Sequence, residues 1–452
     1  MVSIDRSRIR ALQEREERRF TEEHPKSKAL FERARKSLLG GVPMNWMTRW
    51  ASPYPVFVAE ARGATFTDVD GRRYVDLCLG DTGSMFGHSP EATVEAVRRQ
   101  AGRGITLMLP GEDSIWVGEE LARRFGLPWW QIAMTATDAN RFAIRLARQL
   151  TGRGKVLVYN GCYHGSVDEA LVSISGGRAI PKPGAVGPPV DPSLTTKVVE
   201  FNDVPALERA LESREVACVL AEPALTNCGI VLPEPGYHEA LREATRRTGT
   251  LLIIDETHTI CAGPGGYTRE HGLEPDLLTI GKPIAGGIPA AAYGISRSLA
   301  ERALEMSSSA GADVGGIGGT LSGNLLALAA VRATLESVAT PAAYARTVPL
   351  AKRFTEGVEG VIREHRLPWH VVRLGNRAEY AFRPTPAKNG GEAEAAMDSD
   401  LDRLMHLMAL NRGILLTPFH LMALIAPETT EADIDLHTKV FQESVALLLG
   451  RD

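Results

Sequence analysis

Between about residues 90 and 300 the chain alternates two patterns. Short, almost continuously apolar runs (QIAMT, KVLVY, VACVLAEP, TLLIIDE, LLTIG and AAYGI) are separated by longer stretches with helical periodicity. Strands covered on both faces read as unbroken apolar runs, whereas half-exposed strands alternate. The pattern therefore predicts an α/β doubly wound architecture, a mostly parallel sheet with helices on both sides. One intervening helix, DANRFAIRLARQLTG, places Ala139, Phe142, Leu146 and Leu150 on a single stripe. The first forty residues read as helix with mixed charges, stopped at LLGGVP by two glycines and Pro43. ATFTDVDGRRYVDL follows as a hairpin turning at Asp70 and Gly71. A Gly/Ser-rich stretch at 307–319 interrupts the pattern, either as a linker or as a mobile flap at the mouth of a site. Beyond about residue 350, mixed strands and helices suggest a second, smaller α+β unit.

Composition narrows the classes of function. A net charge of −4 leaves no electrostatic footprint for nucleic acid or an anionic membrane. Five scattered cysteines, odd in number and without CxxC spacing, argue against a disulfide framework and against a zinc site, so no metal is expected. The charged N-terminus lacks the apolar core of a secretory signal, and no apolar run reaches the ~20 residues that span a bilayer. A reducing cytoplasm is the expected setting.

In doubly wound sheets, ligands gather beyond the carboxyl ends of the strands. Those ends deliver Asp255 and Glu256 after TLLII, Tyr163 and His164 after KVLVY, and Lys282 after LLTIG. After QIAM come Ala136 and Thr137, small residues that open a helix. A helix N-terminus offers N–H groups to a phosphate. A carboxylate can hold a heterocyclic nitrogen protonated, and an aromatic face can stack on a flat ring. A desolvated lysine can act as an amine nucleophile and then as a proton shuttle. Pyridoxal 5′-phosphate is the cofactor that requires all four.

These segments resemble the class III aminotransferases of the type I pyridoxal-phosphate fold, nearest the branch of the glutamate-1-semialdehyde aminomutases and β-amino-acid aminotransferases. The resemblance runs from about residue 35 to 445. DETHTICAGPGGY is similar to the family's Asp-Glu-Val segment, which implies Asp255 against the pyridine nitrogen. IGKPIAGGIPAAAYG resembles the lysine segment and implies Lys282 as the Schiff-base lysine. YHG implies Tyr163 over the ring, and AEPALTNCGIVLPEPGYHEALR implies Glu222 near the cofactor. GGTLSGN implies Thr320 reaching the phosphate of a neighbouring subunit, hence a homodimer with shared sites. The domains expected on this basis are an N-terminal segment (1–75) joining the small domain, a large cofactor domain (76–335) and a C-terminal small α+β domain (336–452).

The chain also departs from the family pattern. Ala136 and Asp138 replace glycine and glutamate in the phosphate loop, so Ala136 must donate its N–H without a positive φ. Thr257 stands where an aliphatic residue packs under the ring. His258 stands where glutamine or methionine is usual, and could hydrogen-bond the cofactor's phenolic oxygen. Leu325 replaces the proline after SGN. The segment LTPFHLMAL has no acid where the aminomutases carry glutamate. Arg49, in MNWMTRWASPYP, and Arg377, in LGNRAEYAF, are candidates for binding a substrate carboxylate; Glu379 would share a strand face with Arg377.

The expectation is transfer of an amino group from an amine or non-α amino acid to a small keto acid. A 2,1-aminomutase is the alternative. A nucleotide-binding or interaction protein on the same sheet is a third reading, disfavoured because no G-x-G-x-x-G or G-x-x-x-x-G-K-[ST] is present.

Overall fold

The computed structural model describes residues 4–187, 190–307, 315–418 and 420–451. The chain forms two compact units. The larger comprises Glu91–Pro341 with Ala387–Ala395; the smaller comprises the residues up to Pro90, Ala342–Pro386, and those from Ala396 onward.

The larger unit is built on a seven-stranded sheet. Its order is Trp129–Ala133, Ala291–Ile295, Leu277–Ile280, Leu251–Asp255, Val216–Ala221, Lys155–Tyr159, Thr196–Val199. All six anticipated runs are strands. Leu251–Asp255 pairs in parallel with Val216–Ala221 on one side and Leu277–Ile280 on the other. Ala291–Ile295 departs from expectation: it runs antiparallel to both of its neighbours. The cause lies in its connection. Residues 281–290 hold only the 3-10 turn Lys282–Ala285, too short for the helical crossover that a parallel return needs. The edge strand Thr196–Val199 was not anticipated, because TKVV is short and starts with two polar residues.

Helices cover both faces of this sheet. The helix Ala136–Thr151 lays Ala139, Phe142, Ala143, Ile144 and Ala147 on one face, with Leu146 half-buried at the margin. Leu207, Leu211, Tyr237 and Leu241, from two further helices, cover the other face. Each fully buried leucine among them contributes roughly 1.5–3 kcal/mol of apolar transfer.

In the smaller unit the expected N-terminal helix is two helices, Arg6–Glu23 and Pro25–Ala34. Pro25 has no N–H to continue the first helix but suits the first position of the second. His24 at the break is buried, its Nδ1 2.7 Å from the Phe20 carbonyl and its Nε2 2.7 Å from the Tyr74 hydroxyl. The hairpin is present as Thr65–Asp68 and Arg73–Asp76, with Gly71 at φ +89°. A three-stranded sheet of His370–Leu374, Arg377–Ala381 and Met422–Leu424 completes this unit, over a core that includes Trp369, Phe354 and Phe441. Among the described residues no single helix is long and apolar enough to cross a membrane.

Candidate active site

Asp255 ends its strand in the interior of the larger unit and collects three donors. Its Oδ2 accepts from Asn140 Nδ2 at 2.8 Å and lies 2.9 Å from His164 Nδ1. Its Oδ1 accepts the Thr257 N–H at 3.0 Å. Burial alone would raise this carboxyl, but the hydrogen bond and charge of His164, with the two other donors, hold it well below the ordinary carboxylate range. Burial would likewise lower the His164 imidazole; the bond to Asp255 and the contact with Cys162 push it well above its ordinary value. The pair is therefore an imidazolium beside a carboxylate. A carboxylate has about four acceptor directions, so Oδ1 keeps room for one further N–H.

Asn140 was not singled out in the sequence. It holds Asp255 and the His164 carbonyl through Nδ2, and its Oδ1 accepts from Thr279 Oγ1 at 2.6 Å. Its signal was an asparagine next to Ala139, on the buried side of an amphipathic helix. A polar residue there needs partners, because an unsatisfied buried amide costs about 1–3 kcal/mol.

Two glycines bring the other segments onto the start of the helix Ala136–Thr151. Gly165, at φ +80°, lies so close to Thr137 that a Cβ would collide with its hydroxyl, and Ser166 N–H donates to that hydroxyl at 3.1 Å. A Cβ on Gly281 would stand 3.0 Å from Ala136 Cβ and 3.2 Å from its nitrogen. Thr135 caps this helix, accepting from Asp138 N–H at 3.2 Å. Its carbonyl accepts from Ala139 N–H. The N–H groups of Ala136 and Thr137 fall in the first turn, where no earlier carbonyl receives them. Ala136 is not among the residues with positive φ, so alanine is sterically suited to its place.

Lys282 follows Gly281 directly and adopts φ +48°, a left-handed conformation uncommon for a side chain of this size. Its Nζ lies 2.8 Å from Nε2 of His258, which is buried at the turn three residues beyond Asp255. Tyr163 is half-buried, with its carbonyl 3.5 Å from Asn227 Nδ2. Glu222 is buried and its carboxyl is raised by burial; it accepts from Thr226 N–H at 3.0 Å, from the Thr226 hydroxyl, and from Asn227 Nδ2 at 3.0 Å. Glu256 anchors the following loop, accepting from Thr259 Oγ1 at 2.6 Å and from the N–H groups of Tyr267 and Thr268.

The structure thus joins Asp255 to His164, Lys282 to His258, and the loops of His164 and Lys282 to the helix start at Ala136 and Thr137. Thr320 is exposed in a turn of the same unit; of the flap read at 307–319, residues 308–314 lie outside the described residues. Arg49 and Arg377 belong to the smaller unit. Arg49 is exposed at the end of the 3-10 turn Asn45–Thr48. Arg377 is fully buried at the head of its strand, and Glu379, also buried, has its Oε1 2.9 Å from His420 Nδ1. Among the described residues no cluster of His, Cys, Asp or Glu could hold a metal ion.

The donor set fits pyridoxal phosphate on three counts. Asp255 is a charged acceptor with one direction to spare, the first-turn N–H groups suit a phosphate, and an amine stands at a strand end. A fourth sign is the buried Thr257 hydroxyl beside Asp255, which has no partner among the described residues.

A mostly parallel sheet with this constellation at its strand ends defines a pyridoxal-phosphate enzyme of fold type I. Residues 46–444 match the family model described as Aminotransferase class-III, and the chain belongs to that family. It is 50% identical to a glutamate-1-semialdehyde-aminomutase from Pseudomonas aeruginosa PAO1, whose crystal structure superposes with a TM-score of 0.96 over 99% of this chain and 100% of that one. An omega-transaminase from Sphaerobacter thermophilus is 30% identical, with a TM-score of 0.85 over 93% and 97% of the two chains. A glutamate-1-semialdehyde 2,1-aminomutase of Myxococcus xanthus (strain DK1622) is 34% identical over 405 residues, 87% of this chain and 91% of that protein.

Proposed function

We propose that this enzyme moves an amino group within glutamate-1-semialdehyde, as a 2,1-aminomutase. The observation that carries the reading is the 50% identity, across 99% of the chain, to a protein of that name. This places the alternative drawn from the sequence ahead of transfer to an external keto acid. One observation favours the keto-acid reading: LTPFHLMAL brings no acid where the aminomutases carry one.

When bound, pyridoxal phosphate supplies an electron sink for the carbanion left when an amino-bearing carbon loses its proton. In this reading Asp255, charged and held by His164 and Asn140, accepts the pyridine N–H. Ala136 and Thr137 donate their N–H groups to the phosphate, Tyr163 offers its ring face, and Glu222 lines the site. Lys282 carries the cofactor on its amine and, once free, takes the substrate proton at Nζ.

Thr320 completes the phosphate site of a second copy. The homodimer reading is supported by exposed apolar side chains in its own segment and in a second segment tied to it by one backbone hydrogen bond. Leu107, Met108, Leu109 and Leu321 are all more than half exposed, and Leu325 N–H donates to the Ile105 carbonyl at 2.9 Å. A cytoplasmic setting is supported by five cysteines that form no disulfide among the described residues, four of them buried.

The test is to incubate the holoenzyme with glutamate-1-semialdehyde alone and follow 5-amino-4-oxopentanoate by NMR. The expected result is stoichiometric product without added keto acid. No product from the semialdehyde, with alanine or glutamate formed from an amine plus pyruvate or 2-oxoglutarate, would reverse the order of the two readings.

A further inference from the structure

The Lys282–His258 contact joins the amine to a base that nothing in the family pattern supplies. Lys282 has little freedom in where its side chain starts. Gly281 is pressed against Ala136, Pro283 follows, and the lysine itself is left-handed at φ +48°. Non-glycine residues in that region carry strain, and persist where surrounding structure over-determines them. His258 is also fixed, as the buried residue that leads into the 3-10 turn Thr259–Ala262. Two constrained backbones thus set Nζ and Nε2 at 2.8 Å.

Nζ carries hydrogens in both of its protonation states, whereas Nε2 accepts only when it bears none. Where Nε2 bears no hydrogen, the contact is Nζ–H donating to Nε2, with the imidazole hydrogen on Nδ1. An imidazolium facing an ammonium at this distance would bring two like charges into contact.

We propose that His258 is the proton acceptor for the amine of Lys282, taking one hydrogen from Nζ as that nitrogen bonds to carbon and handing it to the departing oxygen. This rests on the assignment of Lys282 as the lysine that carries pyridoxal phosphate. The bookkeeping is simple: Nζ forms its bond to the aldehyde carbon, and two amine hydrogens depart with the aldehyde oxygen as water. His258 takes one of them from Nζ and passes it to that oxygen. Glutamine here could accept a hydrogen bond, and methionine a weak one, but neither could take the proton.

The experiment measures capture of pyridoxal 5′-phosphate by apoenzyme, followed by stopped-flow absorbance at one fixed pH. His258→Ala is expected to slow capture about a hundredfold, the scale of a lost general base, and added imidazole is expected to restore much of the rate. His258→Gln keeps an acceptor without the basicity; it should remain slow and unrescued. Melting of each apoenzyme checks that the variants fold, and His258→Gln carries the test if His258→Ala does not. Wild-type capture rates in both variants would overturn the proposal. So would a slow His258→Ala that imidazole leaves unchanged while His258→Gln restores it, since the histidine would then only position the amine. Borohydride trapping and peptide mass analysis of the wild type test the underlying assignment separately. Label on another lysine would remove Lys282 from its role whatever His258 does.

Discussion

Asp255 and Glu256 are adjacent carboxylates, both buried, and the protein treats them in opposite ways. Asp255 is held below its ordinary range and Glu256 is pushed above it. Both collect hydrogen bonds: three for Asp255, and for Glu256 a hydroxyl and two backbone N–H groups. The difference is the kind of partner. Neutral donors satisfy Glu256 without offsetting the loss of hydration of a charge, whereas His164 brings a positive charge to Asp255. One carboxylate is therefore kept ionised, and its neighbour ties down a loop. A Cβ on Gly266 would meet the Glu256 carboxylate at 2.5 Å, so that loop closes on the acid through a glycine.

Removing the charge at Asp255 should break the contrast most severely. Asp255→Asn keeps the shape but loses the anion, and kcat/KM is expected to fall roughly a thousandfold or more, the scale of a lost preorganised electrostatic contact. Steady-state kinetics checks this, and a wild-type value would remove Asp255 from the chemistry.

His164→Asn should make Asp255 resemble Glu256, at a cost of about 3 kcal/mol in apoenzyme stability near pH 6 for a broken buried pair. The sign follows from the shifts. His164 is raised from 6.5 to about 10, so its contribution is full below 6.5 and is lost as pH rises through about 10. Asp255 is lowered from 3.8 to about 2, so its contribution is present above 3.8 and is lost as pH falls through about 2. The gap between wild type and variant, from urea unfolding, should be widest between these limits and narrow from pH 6.5 towards 10. A gap that widens over that span contradicts the pairing.

The smallest effect belongs to Glu256→Gln. With neutral donors around it, the amide should cost only about 1–2 kcal/mol of stability and leave kcat/KM within about threefold. A Tm unchanged from wild type would show that the loop does not depend on this acid.

Much of this site is legible in the sequence because function interrupts pattern. A lysine, an aspartate and a small-residue helix start each end an apolar run, and the strand-end rule says where to look. Other features are set by distance. Asn140 is joined to Asp255 across 115 residues and to Thr279 across 139, and nothing local announces either contact. The antiparallel course of Ala291–Ile295 is not legible in its apolar run, which reports burial rather than polarity; only the short connection decides it. Pro25 was different: the break it makes was visible in the sequence, but the surrounding mixed charges read as one continuous helix.

The reversed strand also bears on the order of assembly. Leu277–Ile280 and Ala291–Ile295 pair through a ten-residue connection, a local closure of the kind that forms within microseconds. The contacts that charge Asp255 span 91 and 115 residues, and such long closures come late. The turn that carries Lys282 should therefore acquire hydrogen-exchange protection before the contacts around Asp255 exist, an ordering that pulse-labelling during refolding can resolve. A newly made chain would then present the amine first, with the partners of the buried aspartate still to come.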